Sequence, residues 1–257
     1  MALLLTPDQY LSRILANYTP TPADHMRTMR VYGEVSVLLK RWANVYLAGI
    51  RPSGSFAKGT AIRGDTDLDI FVSLKKDAPG SLEDLYYHLD AFLRGEGLAT
   101  DLRNVSIHVM HRGLSVDIVP GRKQGVLGNS HSLYSRRSET WIQTNVDLHV
   151  NLIRESTRKR PICLLKIWRR LRGLEFPSFY LELCVIEALK GQLPLRLANN
   201  VMTVLGFLAS DFTKRRILDP ANSNNVVSDE LGDSEKVAIS RAALISLQAT
   251  SWGEIVW

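Results

Sequence analysis

Apolar and polar residues follow two periods along this chain, and the change between them divides it. Thr6-Pro7-Asp8-Gln9 has the marks of a helix start: Thr as cap, Pro at the first helical position, Gln closing a capping box. It predicts a short helix to about Ala16. Thr21-Pro22-Ala23-Asp24 repeats the signal and opens a longer helix to about Tyr46. Met29, Val35, Leu38, Leu39, Trp42 and Tyr46 form its apolar stripe, and it is expected to serve as an N-terminal spine helix across both halves of the molecule. From Leu68 the period drops to two, with Leu68, Ile70 and Val72 on one side and Asp67, Asp69 and Phe71 on the other. Ser81 then caps a helix that Gly95 ends. A second alternation, Val105, Ile107 and Val109, turns at His111-Arg112-Gly113 into Leu114–Pro120. There Leu114, Val116 and Ile118 share a face and leave Asp117 on the opposite one.

Residues 121–137 are polar and rich in Gly and Ser, and read as a loop or lid. Beyond about Trp141 the pattern is helical throughout, with helices expected near residues 145–155, 161–172, 178–191, 195–210 and 234–248. The shift near residue 150 suggests a catalytic lobe over 1–150, carrying the spine helix, and a helical lobe over 151–257. The fold class expected is α/β in the α+β sense: bilobal, with a mixed, partly antiparallel sheet in the first lobe.

Composition changes this picture little; its distribution changes it more. With 257 residues, 45% hydrophobic and 23% charged, the chain is an ordinary globular one of one large or two small domains. Of the net charge of +6, the stretch Arg154–Arg172 accounts for an excess of +7, with eight Lys or Arg against one Glu. That stretch is a candidate contact for nucleic acid or another polyanion. The two cysteines, Cys163 and Cys184, sit in apolar helical sequence, which argues against a disulfide framework, and the six histidines show no ligand spacing. Met1-Ala2-Leu3-Leu4-Leu5 lacks the basic flank and the length of a signal peptide, and no apolar run reaches the 18 or so residues of a membrane span. A reduced, cytoplasmic, soluble protein without a membrane segment is expected.

The candidate chemistry lies in Pro52–Val72. Two glycine-hydroxyl pairs, Gly54-Ser55 and Gly59-Thr60, stand shortly before an Asp-x-Asp sequence, Asp67-Leu68-Asp69. Glycines let a backbone approach a ligand, and amides at a helix start favour phosphate oxygens. Carboxylates two apart on a strand project from one face, able to share one divalent ion or two held about 3.5–4 Å apart. Asp117, on a second strand, is a third acid facing the same way. Singly these features are common in turns and solvated strands; together they point to phosphoryl or nucleotidyl transfer.

The same residues resemble the signature of the polymerase-beta-like nucleotidyltransferases: Gly54-Ser55, Gly59-Thr60, Asp67-x-Asp69 and Val116-Asp117-Ile118-Val119-Pro120. Lys166-Ile167-Trp168, Ser178-Phe179-Tyr180-Leu181-Glu182 and Asp219-Pro220-Ala221-Asn222 extend the resemblance over roughly residues 25–230. They direct it to the template-independent branch of the 2′-5′ oligoadenylate synthetases, the cyclic GMP-AMP synthases with their bacterial CD-NTase-type relatives, and the archaeal-type CCA-adding enzymes. The resemblance implies two Mg²⁺ or Mn²⁺ ions on Asp67, Asp69 and Asp117, nucleoside triphosphates as substrates, and phosphate contacts from Gly54, Ser55, Lys166 and Ser178. It implies synthesis of a short cyclic or linear oligonucleotide with release of pyrophosphate, as a second messenger in antiphage defence. The alternatives are an RNA or tRNA 3′-end nucleotidyltransferase and a catalytically silent nucleic-acid-binding scaffold. The sequence has no His/Cys zinc insertion, and its 257 residues leave no room for the tRNA-gripping domains of CCA-adding enzymes. Tyr134 is a candidate for stacking on a base, with packing as the plainer account. Asp219, Asn222 and Asn225 fit a base pocket or a side-chain-stabilised turn equally. Trp42, Trp141 and Trp168 are expected in the core.

Overall fold

The structure, a computed structural model, describes residues 5–64, 67–126, 128–193 and 196–257. Met1–Leu4, Asp65 and Thr66 ahead of the Asp-x-Asp, and the expected helix start at Leu195 lie outside the described residues. In chain order the elements are α1 (Pro7–Tyr18), α2 (Pro22–Ala43), β1 (Leu47–Pro52), α3 (Gly54–Lys58), β2 (Leu68–Leu74), α4 (Leu82–Gly95), β3 (Thr100–Leu102), β4 (Ile107–His111), β5 (Leu114–Lys123), β6 (His131–Ser135) and β7 (Thr140–Thr144). The helical half follows: α5 (Val146–Glu155), α6 (Lys159–Leu171), α7 (Ser178–Ala188) and α8 (Leu197–Ser210), a short hairpin of β8 (Leu218–Asp219) and β9 (Asn222–Val226), and α9 (Asp233–Leu247). The caps act as their residue types dictate: Thr6, Thr21 and Ser81 each accept a backbone N–H three residues on, and Gln9, Asp24 and Asp84 answer with their side chains.

The sheet runs β1-β2-β5-β4-β3, with β6 paired to the end of β5 and β7 to β6. It is mixed, as expected: β2 and β5 are parallel, and the other pairings antiparallel. One apolar core lies beneath it, where Val31, Val35, Leu39 and Trp42 of α2 meet Leu68, Ile70, Val72, Leu89, Val116 and Ile118. The buried stripe of α2 therefore runs through Val31, Val35, Leu39 and Trp42 at three- and four-residue steps, while Met29 and Tyr46 are exposed. A second core joins α5 to α9 around Leu165, Trp168, Tyr180, Leu205 and Ile239. It also takes in Leu11 and Ile14 of α1, so the first helix of the chain packs with the last ones. Tyr10 donates to the Val256 carbonyl at 3.0 Å, and the Ala198 N–H donates to Asp8 at 2.7 Å.

Two stretches of the loop expected over 121–137 are strand instead. β5 continues to Lys123, and β6 and β7 pair over five positions from His131↔Thr144 to Ser135↔Thr140. Gly121, which suggests a turn in sequence, is a strand residue where side chains close in. A Cβ there would lie 2.6 Å from Phe71 and 2.8 Å from Leu133. His131 is buried and bonded to the Ser73 hydroxyl at 2.7 Å, a polar anchor that sequence pattern reads as loop polarity. Trp42 and Trp168 are core residues, but Trp141 on the terminal strand β7 is exposed. Among the described residues, no helix is long and apolar enough to cross a membrane.

Candidate active site

Strand register brings two of the three acids together. Leu68, Ile70, Val116 and Ile118 are fully buried beneath the sheet, which turns the residues between them to the other face. In the parallel pairing of β2 with β5, Asp69 stands directly beside Asp117. Asp67 lies just ahead of β2. Across β5 the antiparallel β4 places His108 opposite Asp117, its Nδ1 3.0 Å from Oδ1. Arg103, between β3 and β4, donates to Asp117 Oδ2 at 2.7 Å and stands 4.0 Å from Asp67 Oδ2.

The glycine turn is fitted against this edge. The Ser53 N–H donates to the Asp69 carbonyl at 2.8 Å, and Gly54 follows with φ of 56°, in the left-handed region. A Cβ on Gly54 would lie 1.7 Å from Asp69 Oδ2 and 2.3 Å from its carboxyl carbon. Only glycine fits there, by conformation and by space. Ser55 is half-buried in the first turn of α3, and Gly59 at the end of that helix is again left-handed, its N–H reaching the carbonyls of Phe56 and Ser55.

Crowding of acids shows in Asp69. Burial pushes its carboxyl up to about 7, with repulsion from Asp117 and Asp67 adding to the effect and the charges of Lys58 and Lys166 opposing it. Three carboxylates are a donor set suited to hard divalent ions such as Mg²⁺ or Mn²⁺ and to no soft metal. In this conformation they do not form a cage: among the described residues no three His, Cys, Asp or Glu side chains converge enough to hold an ion. Both oxygens of Asp117 are engaged, one by Arg103 and one by His108.

Lys166 and Ser178 stand elsewhere in the arrangement. Lys166 is buried, donating to Glu182 Oε1 at 2.7 Å and to the Thr60 hydroxyl at 3.1 Å. Lys58 donates to the other oxygen of Glu182 at 2.8 Å, and Thr60 donates to Oε1 at 3.0 Å. Two lysines and a threonine from two segments thus close on one glutamate of α7, tying the glycine turn to the helical half. Burial alone would push Glu182 up, but the two lysines overcome that and hold its carboxyl below the usual range. Ser178 accepts from Arg169 at 2.9 Å at the start of α7.

Two clefts meet at Asp67. One, of about 680 Å³, lies between the halves and is lined by Asp67, Arg103, Arg169, Arg170, Phe176 and Glu230 among others. The second, of about 530 Å³, lies on the other side, between Pro20–Thr28, Phe56, Ile62 and the β4–β5 turn. Both volumes are in the range of small-molecule sites. Much of the basic stretch serves the structure: Arg158 donates to the carbonyls of Leu189 and Gln192, Arg160 to Ser12, Arg170 to the Arg63 carbonyl, and Arg172 to the Glu254 carbonyl. Tyr134 is packed against Tyr86 and Tyr87, its hydroxyl donating to Glu83 at 2.8 Å. Asp219 makes a turn: it accepts from the Ala221 N–H and the Asn225 amide and is bonded to His149 at 2.6 Å.

Sequence pattern missed Lys58, Thr60, Glu182, Arg103 and His108 as members of these clusters. His108 had a legible signal, since it alternates with Ile107 and Val109 and so shares the face of Asp117. Arg103 had none, because it lies on a connection whose position only the sheet sets.

Residues 35–137 match the nucleotidyltransferase domain family. The chain is 29% identical to a cyclic AMP-AMP-AMP synthase of Escherichia coli (strain MS 115-1) over 193 residues, 69% of this chain and 60% of that protein, less than two thirds of its length. The solved structure of E. coli MS115-1 CdnC in complex with HORMA-deltaN superposes with a TM-score of 0.75 at 25% identity, covering 94% of this chain and 89% of that one. Bradyrhizobium diazoefficiens CdnG, a CD-NTase solved with GTP, gives 0.77 at 15% identity over 97% and 93%, a likeness of fold.

Proposed function

We propose, from the premise that this chain belongs to the polymerase-beta-like nucleotidyltransferases and is a CD-NTase homologue, that it joins nucleoside triphosphates without a template into a short oligonucleotide. The hydroxyl of one nucleotide attacks the α-phosphorus of another, a phosphorus–oxygen bond forms, the bond to the β-phosphate breaks, and pyrophosphate leaves. A cyclic product is favoured by the relative named for cyclic AMP-AMP-AMP, and its setting would be second-messenger signalling in antiphage defence. The observation that carries this reading is the pressing of Gly54 against the Asp69 carboxylate, with Asp117 in register beside it. A phosphate held at this glycine turn would lie beside the Asp69 carboxylate, where its charge needs neutralising.

Asp67, Asp69 and Asp117 are the residues that would hold two divalent ions, which supply charge neutralisation of the triphosphate and a more acidic attacking hydroxyl when bound. The chain's own groups do the rest. Gly54 admits the phosphates without a side chain in the way, and the Ser55 hydroxyl donates to one of them. Arg169 and Arg170 line the interlobe cleft, where their charge offsets the leaving pyrophosphate. Lys166 acts on the site through its charge, which opposes the raised Asp69 carboxyl, and with Ser178 it would contact phosphate only on leaving its bonds to Thr60 and Glu182.

The test is incubation with each labelled triphosphate and with all four, with Mg²⁺ or Mn²⁺, with and without RNA, followed by phosphatase. A small phosphatase-resistant product formed without RNA is expected. Label that enters only added RNA would overturn the reading in favour of an RNA 3′-end enzyme.

A further inference from the structure

Arg103 stands where a cation belongs. Its Nη1 donates to Asp117 at 2.7 Å and lies 4.0 Å from Asp67, so one guanidinium serves two of the three acids. The base of the residue is fixed: the Tyr86 hydroxyl donates to its carbonyl at 2.8 Å, and its N–H donates to the Ser106 carbonyl at 3.0 Å. The head is held by the acids themselves and by no other described residue; the side chain is 42% exposed and opens onto the cleft that Arg169 and Arg170 line. Lys58 and Lys166 also act on Asp69 through their charges, but Glu182 binds both of them. The contrast leaves Arg103 as the charge that can move.

We propose that Arg103 is a displaceable counter-ion. It neutralises Asp117 and Asp67 in the metal-free protein and competes with the divalent ion for them, which sets the ion concentration the site needs. The proposal rests on the reading of Asp67, Asp69 and Asp117 as metal-holding acids. The competition follows from charge: a guanidinium within hydrogen-bond distance of Asp117 Oδ2 repels a divalent ion approaching that oxygen, so one must leave as the other binds. A residue whose role was only to prop Asp117 in place would act in the opposite sense, because its removal would loosen the acid and weaken metal binding.

Free Mn²⁺ measured by electron paramagnetic resonance in nucleotide-free solution distinguishes the two. Wild type is compared with Arg103→Ala, Arg103→Gln, Arg103→Lys and Asp117→Asn, each checked for folding by its thermal transition. Arg103→Ala and Arg103→Gln are expected to bind Mn²⁺ about tenfold tighter, the size of one charge-assisted contact discounted for exposure. Arg103→Lys is expected near wild type, and Asp117→Asn weaker. Binding in Arg103→Ala and Arg103→Gln that is unchanged or weaker, with Asp117→Asn still weakening it, overturns the displacement and leaves the metal reading standing. Absence of Mn²⁺ binding from wild type and all four variants overturns both.

Discussion

Two groups of ionisable side chains meet near the glycine turn, and they are built to opposite ends. Lys58, Lys166, Glu182 and Thr60 come from three segments and are almost wholly buried, and each charge has a partner within 2.8 Å. Asp67, Asp69 and Asp117 form the neighbouring group, where burial, with repulsion from Asp117 and Asp67, pushes the Asp69 carboxyl up to about 7 against the opposing charges of Lys58 and Lys166. The first group joins the two halves and is electrostatically settled. The second is left unsettled, as the proposed uptake of cations and a triphosphate requires. Stability and function are thus separated over one short stretch, and substitutions on the two sides should act in opposite directions.

The largest effect is expected at the acid edge. Asp69→Asn should lower turnover by about 10³-fold or more, the kinetic equivalent of several kcal/mol of lost charge stabilisation. The same change should raise the melting temperature of the metal-free protein by about 2–4 °C, because a buried, repelled carboxylate is replaced by a neutral amide. Calorimetry beside an activity assay reads both, and a fall in melting temperature would show that the edge is not strained. At the junction the signs reverse. Glu182→Ala leaves two buried lysines without an acid and should cost about 3–5 kcal/mol, on the order of 10 °C in melting temperature. An urea titration that finds less than about 1 kcal/mol would remove the cluster from its place as the tie between the halves.

How much of this was legible follows from the range of the interactions. Thr6, Thr21 and Ser81 announced their helices because capping acts over three residues. Alternation in β2 and β5 announced the faces of Asp69 and Asp117, and their adjacency needed only the correct pairing. The burial of Lys166, a phosphate contact by resemblance, left no such mark. Its partners Glu182 and Thr60 lie 16 and 106 positions away, beyond any local pattern. Arg158, Arg170 and Arg172 of the +7 stretch likewise end on distant carbonyls, which leave no mark in sequence. Gly121 and the strands after it were obscured because a glycine that makes room for Phe71 looks like one that makes a turn.

Acidity separates the two groups without mutation of either. The raised Asp69 carboxyl, about 7 in the folded protein against 3.8 as its ordinary value, binds a proton in the native state that the unfolded chain has released between those values. Native stability therefore falls as pH rises through that window. Glu182 is held below its ordinary 4.5, so its contribution is fully present above that value and is lost only as pH falls through the lowered one. Melting temperatures of the metal-free protein between pH 5 and 8 should carry a downward slope from Asp69 on top of the other groups. Asp69→Asn should flatten that slope and Glu182→Gln should leave it in place. A slope unaffected by Asp69→Asn would assign the titration to another group.

The smallest effect marks the boundary of both groups. Tyr134 belongs to neither: it is packed with Tyr86 and Tyr87, and its bond to Glu83 pushes the phenol up to about 12. Tyr134→Phe removes one hydroxyl and one hydrogen bond from this contact and should cost about 1 kcal/mol. With the ring retained, that measures the hydrogen bond alone. Tyr134→Leu removes the aromatic face as well, and the two readings of the residue part there. A side chain that only fills the space beside α4 gives a lower melting temperature and an unchanged KM for the triphosphate. A base-stacking ring gives a KM raised by about tenfold, the weight of one lost stack. Because the hydroxyl is held by Glu83 and the ring faces its tyrosine neighbours, the expected result is the first: stability falls slightly, and nucleotide binding does not respond.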